Sequence, residues 1–399
     1  MSTTGPMAPH HRRVVATVIS TTLLVLALAT GSLVSVFYER LDANLHTGQA
    51  IKHLRHKRQT GPKSPLNILV MGLDTRDCAG CHIDNEPGGD GSDTTILLHI
   101  SADRRTVYGV SIPRDALVAP VGCTAKSTYG STGLVQWNAA FAAGGAECTA
   151  EQVEKNFGVY VDDYVTINFG GFKDMVDAIG GVDICIPFEL KDPVYEHVDF
   201  KPGPAVHLDG TNALKYVRLR HVLDGSDIGR MKRQQAFISA MINKVISAGT
   251  LTRPDRVYAF ANALTKSMTT SPDLGHVKDL VKLAEQLKNT SLGDIRFVTV
   301  PSQPYDVPRN DPRWGRVQIL PAAAQLWKRI NADKPLSKAL SASALSAGTA
   351  SAGASPSSAH ASRSASSGTS GSSTSASAQS TPSTSTAAAS EAARSGLCS

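Results

Sequence analysis

Three short polar segments of this 399-residue chain hold residue types that bind phosphate and a divalent cation: Asp74-Thr75-Arg76, Ser92-Asp93-Thr94 and Pro113-Arg114-Asp115. Ionised carboxylates supply hard oxygens for Mg2+, and a guanidinium forks onto phosphate with two parallel hydrogen bonds. A second group lies downstream, at Arg218-Leu219-Arg220 and along the segment Asp227, Arg230, Gln234. Two arginines two residues apart point to the same side in extended geometry and repel unless an anion sits between them. Asp227, Arg230 and Gln234 recur at three- and four-residue steps, so they share one face of a helix, near an amino terminus that favours anions. Each segment alone has a plain structural reading, because Asp after a strand shapes turns and an isolated Arg-x-Arg satisfies itself in surface salt bridges. Their joint occurrence points to phosphoryl chemistry.

Near-continuous apolar runs at 66–72, 95–100 and 107–112 fit strands buried on both faces of a sheet. If the first two are antiparallel neighbours, Asp74 and Asp93 meet at one edge. A strand at 164–169, a Gly170-Gly171 turn, a helix with Phe172, Met175, Val176 and Ile179 on one stripe, and a strand at 182–186 form a strand-helix-strand unit. Its stripe reads as core, although the same residues could line a lipid site. Thr149 is expected to N-cap a short helix to Phe157, with Gln152 completing a capping box. Further helices are expected at 211–216, from Asp227 through Val245, at 255–264, 273–287 and 321–330, and a strand at 295–300.

At these segments the sequence resembles the LytR-CpsA-Psr family of cell-envelope phosphotransferases, over roughly residues 66–247. The resemblance implies an α/β fold with a mixed central sheet flanked by helices, in a single extracytoplasmic domain after one transmembrane helix. It implies that Asp74 and Asp93 hold Mg2+, the expected cofactor, and that Arg114, Arg218, Arg220, Arg230 and Gln234 surround a lipid-linked pyrophosphate. Asp227 belongs to the same motif, and the implied catalytic set is Asp74, Asp93, Arg114 and Asp227. The reaction moves a glycan with its phosphate from a polyprenyl-pyrophosphate donor to peptidoglycan or a related wall polymer. Asp115, Asp227 or a metal-ligating Asp could each be the base for the acceptor hydroxyl.

Cysteines stand at similar places in high-GC Gram-positive relatives, which implies a Cys123–Cys148 bridge worth about 3 kcal/mol through its constraint on the unfolded chain. Two positions depart from the family pattern. Gly91 stands where relatives usually carry Arg, and Gln136-Trp137-Asn138-Ala139 where they usually carry Lys; Arg76 and Lys126 are charges that could compensate. Uncompensated, the losses leave open a different substrate, slower turnover, or the rival reading of a non-catalytic binder of polyprenyl phosphates that serves regulation or assembly.

Residues 14–37 are apolar and uncharged, long enough to span a bilayer and longer than a signal-peptide core. Ala27-Leu28-Ala29 resembles a cleavage site, but the apolar run continues past it. Charges on the two sides do not orient the span, because Arg12 and Arg13 precede it while Arg40, Lys52, Arg55, Lys57 and Arg58 follow. Six cysteines, an even count, suit an exported domain. The expected layout is therefore a cytoplasmic end at 1–13, a transmembrane helix at 14–37, a juxtamembrane linker at 38–65, the catalytic domain at 66–335 and a Ser/Ala/Thr-rich tail at 336–399, with everything after the helix outside the plasma membrane. The basic stretch 52–58 reads equally as a contact to anionic headgroups or a solvated linker. Cys78-Ala79-Gly80-Cys81-His82 matches the haem c attachment pattern, but a local Cys78–Cys81 disulfide is preferred, since no second haem feature accompanies it. The tail lacks the large apolar groups a core needs. A formal net charge of +6 agrees with anionic partners, and nothing points to nucleic-acid recognition.

Overall fold

The apolar runs that bracket the aspartates pair as antiparallel neighbours. Leu66–Leu73 lies against Ser92–Ile100, with Leu69 opposite Leu97 and Gly72 opposite Thr94, and Val107–Ile112 lies on the far side of Ser92–Ile100, also antiparallel. This computed structural model describes residues 9–54, 64–74, 91–125, 130–194, 197–220, 222, 227–247 and 252–348. Its eight-stranded sheet runs in the order His46–Thr47, Met268–Thr270, Asp163–Asn168, Leu66–Leu73, Ser92–Ile100, Val107–Ile112, Ile295–Thr299, Leu345–Ser346. Asp163–Asn168 is parallel to Leu66–Leu73 and Ile295–Thr299 is parallel to Val107–Ile112, so the sheet is mixed. The carboxyl ends of these four strands share one edge with the amino end of Ser92–Ile100.

The helices are α1 (Pro9–Asn44), α2 (Ala139–Phe157), α3 (Phe169–Ala178), α4 (Gly210–Arg218), α5 (Asp227–Ser247), α6 (Pro254–Ser267), α7 (Val277–Gln286), α8 (Ala323–Asn331) and α9 (Lys338–Ala342). Strand alternation sorts the sheet's side chains into two layers. Leu69, Leu97 and Val110 face one of them, packing with Trp137, Val153 and Phe157 of the α2 region and with Leu326 and Trp327 of α8. Val70 and Ile96 face the other, toward α3, α4 and α5. There Gln235 of α5 donates to Ser111 Oγ at 2.8 Å and Thr299 Oγ1 at 3.0 Å, tying α5 to two strands.

Helix α2 begins well before Thr149. It runs from Ala139 and kinks where Gly144 and Gly145 leave helical geometry, Gly145 at a φ of 66° that favours glycine. Thr149 is therefore interior and bonds back to Gly145 O at 2.9 Å, while Gln152 donates to Trp137 O at 2.9 Å rather than closing a capping box. The Cys123–Cys148 bridge is present, its Cα atoms 6.1 Å apart, and Cys185 is also disulfide-bonded. Cys78, Cys81 and Cys398 lie outside the described residues.

Helix α1 is long and apolar enough to cross a membrane over Val14–Asn44, and its apolar window is not buried by the domain. Its last turns are docked rather than free. Phe37 packs on Tyr258 with ring centroids 4.7 Å apart, Asp42 Oδ1 accepts from Val277 N at 2.8 Å, and Asn44 Nδ2 donates to Asn262 Oδ1 at 3.0 Å. The chain then adds His46–Thr47 to the sheet and is pinned on α2, where buried Glu154 accepts from Leu54 N at 2.7 Å and contacts His53 Nδ1 at 2.8 Å. The first part of the expected linker is thus part of the domain; residues 55–63 lie outside the described residues.

The expected tail boundary at 336 also moves. Leu345–Ser346 pairs antiparallel with Ile295–Thr299, Lys232 Nζ donates to Ser343 O at 2.9 Å, and Asn243 Nδ2 donates to Ala347 O at 3.1 Å. Small residues suffice because the sheet edge supplies backbone partners and Leu340 and Ala344 pack on an existing core. Ending the chain after Leu336 rather than after Gly348 should lower the thermal midpoint, by roughly 2–4 °C for each kcal/mol of packing lost. Equal midpoints by calorimetry would show that α9 and the last strand add nothing.

Candidate functional site

At the shared sheet edge the register between the first two aspartate-bearing strands slips: Gly72 faces Thr94 but Leu73 faces Ser92. Asp93 is the extra residue of this bulge, and a bulge re-aims the side chain it carries. Asp93 is only 9% exposed, and a carboxylate so placed must be paired. Arg114 Nη1 donates to its Oδ1, Arg220 Nη2 lies 3.3 and 3.4 Å from its two oxygens, and Arg230 Nη1 lies 3.8 Å from Oδ2. Asp74, one residue past Leu73, accepts from Arg218 Nη2 at 3.4 Å.

Different elements deliver these arginines. Arg114 follows Pro113 at the end of Val107–Ile112. Arg218 closes α4, a helix capped by Asp209, whose side chain accepts from Asn212 N at 2.8 Å. Leu219 then leaves helical geometry, with ψ of 121°, so Arg218 and Arg220 converge from a helix end rather than from the extended pair expected. The Arg218 guanidinium stacks 4.8 Å from the Phe169 ring centroid at the start of α3. Arg230 bonds Asp227 one turn earlier on α5, and Gln234, one turn later, donates to Val217 O at 3.1 Å. Arg233 Nη2 also donates to Leu219 O, so α5 fixes the end of α4.

The electrostatics favour an added anion. Burial would raise the Asp93 pKa, but the charges of Arg230, Arg114, Arg220 and Arg218 outweigh it and hold the carboxyl below its ordinary value. Burial and the neighbouring Arg230 push Arg220 down to about 10, although Asp93 opposes them. For Arg230 the order reverses: burial would lower it, and Asp227, Asp93 and Asp115 together raise it. The Nε atoms of Arg114 and Arg230 are buried without a hydrogen-bond acceptor, which a phosphate oxygen could supply.

Asp115 has a separate set of partners. Gln136 Nε2 and Arg316 Nη1 both donate to its Oδ1, the latter at 3.1 Å, and Arg114 Nε lies 3.7 Å away. Arg316 comes from a hairpin 201 residues downstream, and no motif surrounds it in the sequence. Arg76 and Lys126, the charges expected to compensate, lie outside the described residues. At Gly91 an added Cβ would meet only Asn138 Nδ2, at 3.7 Å, so a side chain there is accommodated.

Beside the cluster an apolar cavity of about 190 Å³ opens between the sheet and α3, α4 and α5. Val70, Ile96, Phe172, Met175 and Met241 line it, and Asp93, Arg218 and Gln234 stand at its polar part. Phe172 and Met175, read from the sequence as core, thus serve as core and cavity wall together. Gln234 belongs to this cavity and to the α4–α5 contact.

Comparison with known proteins places this geometry. The sequence profile of the LytR_cpsA_psr family matches residues 35–321. The chain belongs to the LytR_cpsA_psr family. It is 34% identical over 209 residues to the polyisoprenyl-teichoic acid--peptidoglycan teichoic acid transferase TagV of Bacillus subtilis, covering 51% of this chain and 50% of that protein. It is 29% identical over 267 residues to the cell wall biosynthesis protein LcpA of Corynebacterium glutamicum, covering 60% and 50%. The chain therefore spans about half the length of these relatives. The crystal structure of B. subtilis TagV superposes with a TM-score of 0.53 at 25% identity, over 68% of this chain and 97% of that one. A LytR-Csp2A-Psr enzyme from Actinomyces oris shares the fold, with a TM-score of 0.52 at 18% identity over 72% and 96% of the two chains.

In this LytR_cpsA_psr protein Asp74 and Asp93 are the carboxylates that could hold a divalent ion. Mg2+ is commonly bound by one or two carboxylates plus waters and substrate phosphates; the described residues contain no all-protein group of three metal-ligating side chains, and the two carboxylates fit that mode. Asp93 also sets an acid dependence. Its folded pKa lies below the unfolded value of about 3.9, so the stabilisation it lends is complete above that value and is lost as the pH falls through the folded pKa. Asp93→Asn should cost roughly 3–5 kcal/mol near neutral pH by removing the charge on which Arg114, Arg220 and Arg230 converge, with the gap to the native protein closing below about pH 4. Urea unfolding at both acidities measures this, and a gap independent of pH counts against it.

Proposed function

We propose that this protein is a cell-envelope glycopolymer transferase that moves a glycan with its phosphate from a polyprenyl-pyrophosphate donor onto peptidoglycan or a related wall polymer. One observation carries the reading: the apolar cavity meets the arginine cluster through Asp93, Arg218 and Gln234. Such a site suits an amphiphile, with hydrocarbon inside and phosphates at the mouth. The relative named a teichoic acid transferase supports the same class. In this reading α1 is a single-pass plasma-membrane anchor, and the disulfides favour a domain outside the cytoplasm.

The acceptor hydroxyl oxygen bonds to the phosphorus that carries the glycan, the pyrophosphate bridge breaks, and polyprenyl phosphate leaves. Arg114, Arg218, Arg220 and Arg230 exchange part of their contact with Asp74 and Asp93 for phosphate oxygens and neutralise charge that grows on the bridging oxygen. Asp74 and Asp93 would hold Mg2+, which when bound supplies further positive charge against the phosphates. The hydroxyl proton passes to a carboxylate. Asp115 and Asp227 remain the candidates beside the metal-ligating pair, Asp227 engaged with Arg230 and Asp115 with Gln136 and Arg316.

Asp74→Ala and Asp93→Ala should each abolish Mg2+-dependent release of polyprenyl phosphate, and retained release in both would end the metal assignment. Replacing Arg114, Arg218 or Arg220 by Ala removes a charge-assisted contact of roughly 1.5–3 kcal/mol, so donor binding should weaken by about ten- to a hundredfold. The rate constant should fall further than binding, because some contacts strengthen in the transition state. Gly91→Arg with Gln136→Lys restores the family-like charges, and turnover should rise if their loss limits it. Tight donor binding without transfer in native and restored proteins, tried with several wall acceptors, would favour a carrier-binding protein instead.

A further inference from the structure

The lipid cavity and the segments that carry Asp115 and its partners are anchored in different layers of the molecule. Val70 and Ile96, which line the cavity, point to the α3–α5 side of the sheet. The segments that carry Asp115, Gln136 and Arg316 are anchored on the α2–α8 side, where Ala116, Trp137 and Ile319 pack with Leu69, Leu97 and Val110. In-line phosphoryl transfer sets the leaving and attacking oxygens on opposite sides of phosphorus. A lipid phosphate departing toward the α3–α5 cavity therefore requires the acceptor to arrive from the α2–α8 side, past Asp115.

One exposed element stands there. The strands Ser302–Pro304 and Val317–Ile319 form an antiparallel hairpin sewn to the strand end that carries Arg114. Val317 N donates to Asp115 O at 3.0 Å, Val317 bridges Ala116, and Arg316 holds the Asp115 side chain. The hairpin's loop raises Trp314, 50% exposed. Gly315 follows at a φ of 74°, a conformation open to glycine without strain. Arg309 lies 5.4 Å over the Trp314 ring, and Arg313 5.4 Å over the Tyr305 ring while bonded to Asp311 at 2.8 and 2.9 Å. Trp314 is thus a half-exposed indole with a guanidinium stacked against its ring. The hairpin is remote from the anchor across the sheet: Ile295–Thr299, the sheet strand that leads into it, is six inter-strand spacings from His46–Thr47, or roughly 29 Å at about 4.8 Å each.

We infer that the 305–316 loop is the acceptor subsite, with Trp314 stacking on a sugar ring of the wall polysaccharide and Arg309 giving it a cationic rim. The C–H face of a pyranose is apolar and slightly positive, which matches the negative face of an indole. Arg309 suits the carboxylates borne by such a polymer. Arg316 acts through Asp115 as a positioning residue that joins the platform to the reacting edge. This assignment rests on the transferase reading given above and adds the side from which the acceptor comes.

The test uses the full chain in detergent micelles and, as probe, peptide-free glycan chains released from peptidoglycan by an N-acetylmuramoyl-L-alanine amidase. The native protein should bind the chains, Trp314→Ala should weaken binding by about tenfold, and Trp314→Phe should recover most of it. Arg309→Ala should produce a smaller loss that shrinks at high salt. Affinity for a polyprenyl-pyrophosphate donor should be the same in all three variants, and in transfer assays Trp314→Ala should raise the acceptor KM while leaving kcat at saturation nearly unchanged. Glycan binding equal in native protein and Trp314→Ala, including no binding in either, overturns the inference. So does a loss in Trp314→Ala that appears only for liposomes. Trp314-dependent glycan binding without release of polyprenyl phosphate would instead sink the transferase reading and leave the subsite standing.

Discussion

The rest of the site depends on one buried carboxylate held among guanidiniums. Arg114, Arg220 and Arg230 gather on Asp93, and their mutual repulsion is tolerated because that charge lies between them. Burial of Asp93 is in turn tolerated because the arginines surround it. On the proposed reading the arrangement is also exchangeable, a phosphate taking over contacts that the carboxylate now makes. A preorganised cationic cradle of this kind lowers the reorganisation needed when charge develops during transfer.

The cradle requires rigid supports, and they come from elements far apart in sequence. The bulge at Asp93 aims one carboxylate, while α5 fixes the end of α4 through Gln234 and Arg233 and thereby sets Arg218 and Arg220. Gln235, one residue further along α5, reaches through the layer to Ser111 and Thr299. A helix that contributes Asp227 and Arg230 at its start is thus bolted to the strands whose ends hold Arg114. The same helix contributes Met241 to the cavity wall, so hydrocarbon space and phosphate site share a scaffold.

Docking of α1 gives the site a defined relation to that helix. A freely jointed linker would let the domain tumble, whereas the contacts of Phe37, Asp42 and Asn44 and the added His46–Thr47 strand make helix and domain one unit. If the proposed lipid-linked donor is the substrate, a fixed orientation reduces the freedom lost on binding.

The sequence by itself determined the three apolar runs, the position of α5 and the residue types of the cluster, because burial on both sheet faces and helical spacing are local patterns. It also carried the family resemblance and, through it, the Cys123–Cys148 pairing. Tertiary structure alone decided that Asp93 sits in a bulge, since register belongs to a pair of strands and not to one. It alone brought Arg316 to Asp115, moved the chain's last strand past the expected boundary and turned a Gly144-Gly145 segment into a kink inside α2. These are contacts between residues distant in sequence or choices made by a neighbouring backbone. No periodicity or spacing encodes them, because the free energy that selects them arises only after the sheet has brought its edges together.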